Sequence, residues 1–235
     1  MYRILYVIGF LAVCYFSSFG QFKGDGNIIT ELRDVPYFDE LIAKGQFELY
    51  ISQGNEYKVE VTADSNLQMA ILTQVTKQRL YIEVPDNIKK MKELKVHVIV
   101  EDLNNFILLG AVDAFTDTLH LKTADFFISG TSDIDLYIVS EKLDFEVSDV
   151  ANVKVFGKSE EFILRVTDEA FIDAKYFETN ICSLKASGFG EIAINVQKQF
   201  NLRVTGIGNI YYYGDPEINN TINSGTAFII KRKLE

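Results

Sequence analysis

The chain has 235 residues, of which 48% are hydrophobic and 24% charged, so it can bury a sizeable core and is too apolar for a disordered protein. Its net charge of −10 argues against sequence-independent nucleic-acid binding, which needs clustered Lys and Arg to neutralise phosphates. Two His and two Cys leave little material for metal or nucleophile chemistry, and no metal or cofactor is expected.

The first twenty residues have the form of an export signal. Arg3 precedes an apolar stretch over residues 4–16, and the small residues Ser18 and Gly20 stand at positions −3 and −1 if cleavage falls before Gln21. The sequence therefore predicts a signal peptide over 1–20 and an exported mature chain, in the periplasm, on the outer cell surface or outside the cell. No membrane span is expected once the signal is removed.

Two other interpretations of this segment remain open. A membrane anchor needs roughly 20 apolar residues, more than this stretch provides. A lipid-modified Cys14 would follow Val13, a branched residue where a small one is preferred. If residues 1–20 are removed, Cys182 is the remaining cysteine, and its apolar neighbours indicate a buried hydrophobic residue.

Strand patterns begin soon after the signal. Residues 21–32 contain glycine and predict a flexible leader, followed by a single β-solenoid domain over 33–235. Alternating residues at 47–51 and 57–61 flank Gly54-Asn55 and predict a hairpin, with further strands at 80–84 and 94–100 and a helical turn near 66–72. This strand-rich part is expected to begin or cap the solenoid.

From about residue 104 a pattern of about 19 residues repeats. Three alternating apolar residues precede Ser or Thr, a short turn, a polar residue and another apolar alternation. The third apolar position holds Leu108, Ile128, Val147, Val166, Ala186, Val204 and Ile222. The fourth lies six residues later and holds Ala114, Ile134, Val153, Ile172, Ile192, Ile210 and Phe228.

This repeat predicts an all-β fold, a right-handed parallel β-helix-like solenoid. A unit of about 19 residues cannot bury its apolar face alone, whereas stacked units share one core. The alternative is a meander of antiparallel hairpins. The Ser and Thr residues would form a hydroxyl ladder ending at Asn223, and the turns hold Gly or, in two copies, Asp149 and Asp168.

The order of these features resembles the head GIN domain family, secreted proteins of Bacteroidetes-type bacteria described as putative auto-transporter adhesins. The likeness covers residues 33–231 and rests on the entry at 33–42, the segment 63–67, the serial Ser-Gly turns and the closing segment 206–216. It implies a β-helix-like fold, a place in the envelope or outside the cell, and no established catalytic residues. Asp149 and Asp168 depart from the glycine usual in the family's turns.

Possible chemistry centres on the polar position before the fourth apolar residue. It holds Asp113, Asp133, Asn152, Phe171, Glu191, Asn209 and Ala227. Stacked carboxylates could bind Ca²⁺ or act as acid and base, but they also close turns, and Phe171 interrupts them. His97 and His120 alternate with apolar residues, are expected to face solvent and lie in no nucleophile motif. We therefore predict no catalytic and no metal site.

Outward aromatic residues are the stronger functional signal. Period-2 alternation directs Tyr137, Phe156, Tyr211 and Tyr213 outward. Exposed rings suit sugar stacking or protein contact, and the alternative is packing by a loop or neighbouring subunit. The sequence thus predicts a non-enzymatic, adhesin-like binding protein for a glycan or surface protein. A β-helix polysaccharide lyase or hydrolase, or a purely structural envelope protein, is the alternative, and the oligomeric state is left open.

Overall fold

A computed structural model describes residues 22–234, which are mostly strand. The strands are β1 Phe22–Lys23, β2 Ile28–Asp34, β3 Glu40–Gln53, β4 Lys58–Asp64, β5 Leu72–Thr76, β6 Arg79–Glu83, β7 Ile88–Lys90, β8 Leu94–Val100, β9 Asn105–Thr116, β10 Leu119–Gly130, β11 Ser132–Ser148, β12 Ala151–Val166, β13 Glu169–Ala186, β14 Phe189–Val204, β15 Ile207–Tyr213, β16 Glu217–Asn223 and β17 Thr226–Lys231. A short 3₁₀ helix, Ser65–Ala70, matches the predicted helical turn.

The chain forms a β-solenoid of about six turns with coils of about 19 residues. From β9 to β17 neighbouring strands pair in parallel. The predicted stack of coils requires this pairing, whereas a hairpin meander would give antiparallel pairs. Each long strand bends midway, so that β12 has a front segment, 151–156, and a back segment, 161–166. We call the outward sides of all such segments the front face and the back face.

The inward residues follow the predicted register through most of the repeat. Leu108, Ile128 and Val147 are successive partners on β9, β10 and β11 and are almost fully buried. The last coil departs by one residue: Val204 pairs with Asn223, and Phe228 is 64% exposed. The run Phe228-Ile229-Ile230 is apolar throughout, so alternation could not fix its phase.

The turns between back and front segments accept Asp in place of glycine. Asp149 and Asp168 adopt φ values of 64° and 60°, the left-handed region that Asp enters more readily than most residues. Above Asp168 the next coil has Gly188, where an added Cβ would lie 1.7 Å from the Asp168 carbonyl oxygen. Glycine is therefore needed where one coil approaches the backbone of another.

The predicted hydroxyl ladder is wrong in detail. Ser129 and Ser148 are partners in register, but the Ser129 hydroxyl donates to Asp149 and the Ser148 hydroxyl to the Ile128 carbonyl. Short side chains in adjacent coils reach nearby acceptors more easily than one another. The column was expected to end at Asn223 but ends at Ser224, whose N–H donates to the Val204 carbonyl.

The N-terminal part differs from two predictions. Strand β8 lies between β3 and β4, so 47–51 and 57–61 do not form a hairpin. The predicted leader, 21–32, contains paired strands from residue 22 onward: β1 pairs with β7, and β2 pairs with β4. The buried Asp64 carboxylate explains why this segment is held in place, since it accepts hydrogen bonds from the backbone N–H groups of Gly26 and Lys92 at 2.6 and 2.8 Å.

A continuous apolar core runs along the solenoid from Phe38 to Ile210. Cys182 is fully buried within it, as predicted, and desolvation raises the pKa of its thiol. The predicted signal peptide over 1–20 lies outside the described residues. Within residues 22–234, no helix has the length and hydropathy needed to cross a bilayer.

Candidate functional site

Outward side chains of the front face stand in columns, because residues in register on adjacent strands lie beside one another. The middle column contains His97, Tyr50, Phe115, Asp135, Lys154, Asp173, Ala193, Tyr211 and Ile230. The preceding column contains Asp133, Asn152, Phe171, Glu191, Asn209 and Phe228. Phe228, and not the expected Ala227, ends this second column.

An aromatic stack lies beside the middle column. The rings of Tyr137 and Phe156 are 4.6 Å apart between centroids with planes 14° apart, and Tyr176 continues the stack 6.4 Å further. Tyr137 and Tyr176 are 44% and 55% exposed. The structure thus places Tyr137 and Phe156 outward on neighbouring coils. Their ring faces cover one another, so the stack presents mainly ring edges and hydroxyl groups.

Tyr176 was missed by sequence reasoning. A uniform spacing of 19 residues leads from Tyr137 to Phe156 and then to Lys175. The pairing of β12 with β13 shifts between Lys154 and Phe156, and this shift brings Tyr176 beside Phe156. Such an irregularity leaves no signal in the alternation of a single sequence.

Tyr211 and Tyr213 lie apart from this stack. They line a groove of about 690 Å³ that extends along the front face. The guanidinium of Arg232 lies 5.1 Å from the centre of the Tyr211 ring, a cation–π distance. The four predicted binding residues therefore share one face but form two separate groups.

The groove carries charges of both signs. Lys154 pairs with Asp135 at 3.5 Å, and Lys175 pairs with Asp173 at 3.0 Å. The hydrogen bond from Lys175 to Asp173 raises the pKa of that lysine, so its ammonium stays protonated at neutral pH and cannot serve as a general base. These pairs form fixed dipoles suited to hydrogen bonding with a ligand.

Asp113 and Asp133, two carboxylates at the predicted polar position, are engaged within the fold. Asp113 accepts the N–H of Asp133 at 2.9 Å, and Asp133 accepts the side-chain amide of Asn152 at 3.1 Å. These hydrogen bonds link successive coils. Among the described residues, no group of three or more His, Cys, Asp and Glu side chains could hold a metal ion.

Phe171 emerges as a site residue that sequence reasoning treated as an interruption. It is 43% exposed and makes no ring contact with another aromatic residue of the described chain. It lines both the groove of about 690 Å³ and a second groove of about 650 Å³, which share Asp133 and Asn152. It lies in one column with Asp133 and Glu191, and its exposure leaves its ring faces accessible.

A polar cluster near the N-terminal end resembles a catalytic triad only in composition. The Ser52 hydroxyl donates to Asp117 at 2.8 Å and lies 2.8 Å from His97 Nε2. Because the serine proton points to Asp117, the histidine must donate to serine and cannot take its proton. His97 is half-buried by these contacts and does not simply face solvent.

Solved structures of similar fold come from Bacteroides and Parabacteroides species. A putative adhesin of Bacteroides fragilis superposes with a TM-score of 0.81 at 22% identity, covering 90% of this chain and 100% of that one. A putative lipid binding protein of Parabacteroides distasonis gives 0.74 at 20% identity, covering 90% and 99%. A putative adhesin of Parabacteroides merdae gives 0.70 at 16% identity, covering 90% and 98%. These likenesses show the fold.

A comparison with curated proteins finds no match. The sequence model of one family, described as "Putative auto-transporter adhesin, head GIN domain", matches residues 37–216. That span contains the strands from β3 to β15 and most of the front-face groove. It agrees with the resemblance inferred from the entry segment and the serial turns, and the chain belongs to the head GIN domain family.

Proposed function

We propose that the chain is an exported, adhesin-like binding protein whose front face recognises a glycan. The observation that carries this proposal is Phe171, an exposed ring that lines both front-face grooves and lies in one column with Asp133 and Glu191. The apolar face of a sugar ring packs on such an aromatic ring, while sugar hydroxyls donate to nearby carboxylates. An extended chain of sugars matches a groove that continues on both sides of one ring.

The four predicted residues and Tyr176 complete this proposed surface. Tyr213 lines the groove near its C-terminal end, and the stack of Tyr137, Phe156 and Tyr176 forms a rigid flank. Tyrosine offers contact area and a hydroxyl at low cost in side-chain entropy. These features favour recognition by many hydrogen bonds around a few rings.

A glycan fits this face better than two other ligand classes. A stable protein interface has a dry apolar centre, whereas this groove is lined by ion pairs such as Lys154–Asp135. An acyl chain, which the name of the Parabacteroides distasonis structure would suggest, needs an apolar cavity. The apolar void beside Val166 and Ile192 holds only about 20 Å³.

The test begins with a glycan array probed with the mature chain, followed by titration of any sugar that binds. Phe171→Ala should weaken binding about tenfold or more, because a stacked ring contributes on the order of 1.5 kcal/mol. The matched control is Phe127→Ala, which removes a half-buried outward ring on the back face. Equal affinity of the Phe171→Ala and Phe127→Ala variants would contradict a glycan ligand. So would a host surface that loses its attachment of the protein after protease treatment but keeps it after periodate oxidation.

A polysaccharide-cleaving enzyme is the second candidate, since the groove gathers Asp133, Asp173 and Glu191 with Lys175. The Lys175–Asp173 ion pair leaves neither of these two groups as a free base. Incubation with uronate-containing polysaccharides and assay for new reducing or unsaturated ends distinguishes the two functions. Cleavage that is lost in Asp173→Asn would establish the enzyme.

A further inference from the structure

The back face carries three consecutive cations in one column. Arg165, Lys185 and Arg203 are direct partners on β12, β13 and β14, about 4.8 Å apart from strand to strand. Elsewhere the register often places opposite charges together, as for Asp135 with Lys154 and Lys142 with Glu161. Like charges directly opposite one another destabilise a sheet.

Only the first of these cations is neutralised by the protein. Arg165 donates two hydrogen bonds to the carboxylate of Asp144, one of them at 3.0 Å. Lys185 and Arg203 are exposed, and neither has a hydrogen bond or ion pair with any residue that the structure describes. Their charges are therefore available to a ligand.

The surroundings of Lys185 and Arg203 are polar but uncharged. The outward neighbours two residues away are Ser183 and Asn201 on the same strands, and Ser187 and Thr205 just beyond the strand ends. The nearest acidic side chains along these columns, Asp144 and Glu146, lie on β11 beyond Arg165. Hydroxyl and amide groups beside two unpaired cations are donors that suit an anionic group.

We infer that Lys185 and Arg203 bind the sulfate or carboxylate groups of an acidic polysaccharide. Successive acidic groups of one linear chain can lie along the column, and the planar guanidinium of Arg203 can hold one of them through two parallel bonds. A membrane is the less suitable ligand, because stable attachment needs four to eight clustered basic residues.

The experiment measures binding of the mature chain to immobilised dextran sulfate and polygalacturonate, with neutral dextran as reference, at low and at physiological salt. The double variant Lys185→Gln/Arg203→Gln should lose about tenfold or more in affinity, and salt should weaken wild-type binding. The control Lys122→Gln/Lys158→Gln makes the same charge change at exposed sites elsewhere and should bind like wild type. Thermal melting of both variants checks that the fold is kept.

Several outcomes would overturn the inference. These are equal loss in the control variant, no wild-type binding to either acidic polymer at low salt, or binding to anionic lipid vesicles in its place. Self-association of the chain that disappears in the double variant, without polysaccharide binding, would assign the cations to a protein contact. Phe171→Ala should keep dextran sulfate binding, so failure of the front-face proposal leaves this test unaffected.

Discussion

The Ser129 hydroxyl donates to the carboxylate of Asp149 one coil further along, at 2.6 Å. Asp149 has a left-handed backbone, with φ of 64°, in a column of turns otherwise filled mainly by glycine. The Asp149 side chain thus supplies a hydrogen bond between coils at a position where the left-handed backbone disfavours a residue with a Cβ. The hydrogen bond offsets the conformational cost of a residue other than glycine.

Replacing Asp149 separates these two effects. Asp149→Ala keeps the unfavourable backbone and loses the hydrogen bond, so the free energy of unfolding should fall by about 1 kcal/mol. Asp149→Gly loses the same bond but relieves the backbone, and its stability should stay close to that of wild type. Urea denaturation of both variants measures the difference, and equal stability of the Ala and Gly variants would contradict this account.

The sequence predicts those features of the fold that depend on contacts repeated in every coil. The alternation around Val147 and Val166 fixed the coil length, the inward residues and the parallel register, because each coil restates the same pattern. Three features escaped it: the shift that selects Tyr176, the phase of Phe228, and the insertion of β8 between β3 and β4. Each depends on a single event that no other copy repeats.

The candidate site was predictable only in part. Alternation placed Tyr137 and Phe156 outward, but it could not show that their faces cover one another. It also treated Phe171 as a defect in a carboxylate column, although exposure and isolation from other rings give this residue its accessible faces. Ligand-facing chemistry depends on the neighbours across coils, which a single sequence does not specify.

Core substitutions test the register directly. Val147→Asp or Val166→Asp places a carboxylate between apolar side chains of adjacent coils and should cost several kcal/mol, roughly 3 or more, in the free energy of unfolding. Glu146→Gln, one position away and outward, should change stability by less than about 0.5 kcal/mol. Thermal melting compares the three variants, and an unchanged melting temperature for the Val variants would contradict the inward assignment.

Asp64 holds the N-terminal segment against the solenoid. Its buried carboxylate accepts two backbone N–H groups, from Gly26 and Lys92, and hydrogen bonds to a charged acceptor contribute about 1.5–3 kcal/mol each. Asp64→Ala should therefore destabilise the chain and increase amide hydrogen exchange in 22–34 and 88–92. Amide exchange that stays at the wild-type level in these segments would show that the pairing of β2 with β4 alone holds them.

The same segment should loosen in acid. Ser65 donates to Asp25, and this hydrogen bond lowers the pKa of the Asp25 carboxyl below its ordinary value of 3.8. A lowered pKa in the folded state means that the contact stabilises above the ordinary pKa and is lost as pH falls through the lowered value. Exchange in 22–27 should rise more steeply below pH 4 in wild type than in Asp25→Asn. Parallel profiles for the two proteins would exclude this linkage.

The aromatic stack distinguishes a structural from a recognition role. Tyr137 and Phe156 contact each other and Tyr176 rather than the core, so the double change to Ser should leave the fold intact. The free energy of unfolding should fall by about 1–3 kcal/mol, since two stacked pairs are lost at about 0.5–1.5 kcal/mol each. If the stack forms a flank of the glycan surface, the variant should also bind the sugar identified with Phe171 more weakly. Wild-type affinity together with the expected loss of stability would leave the rings a purely structural role, while complete unfolding would mean that they support the coils beneath them.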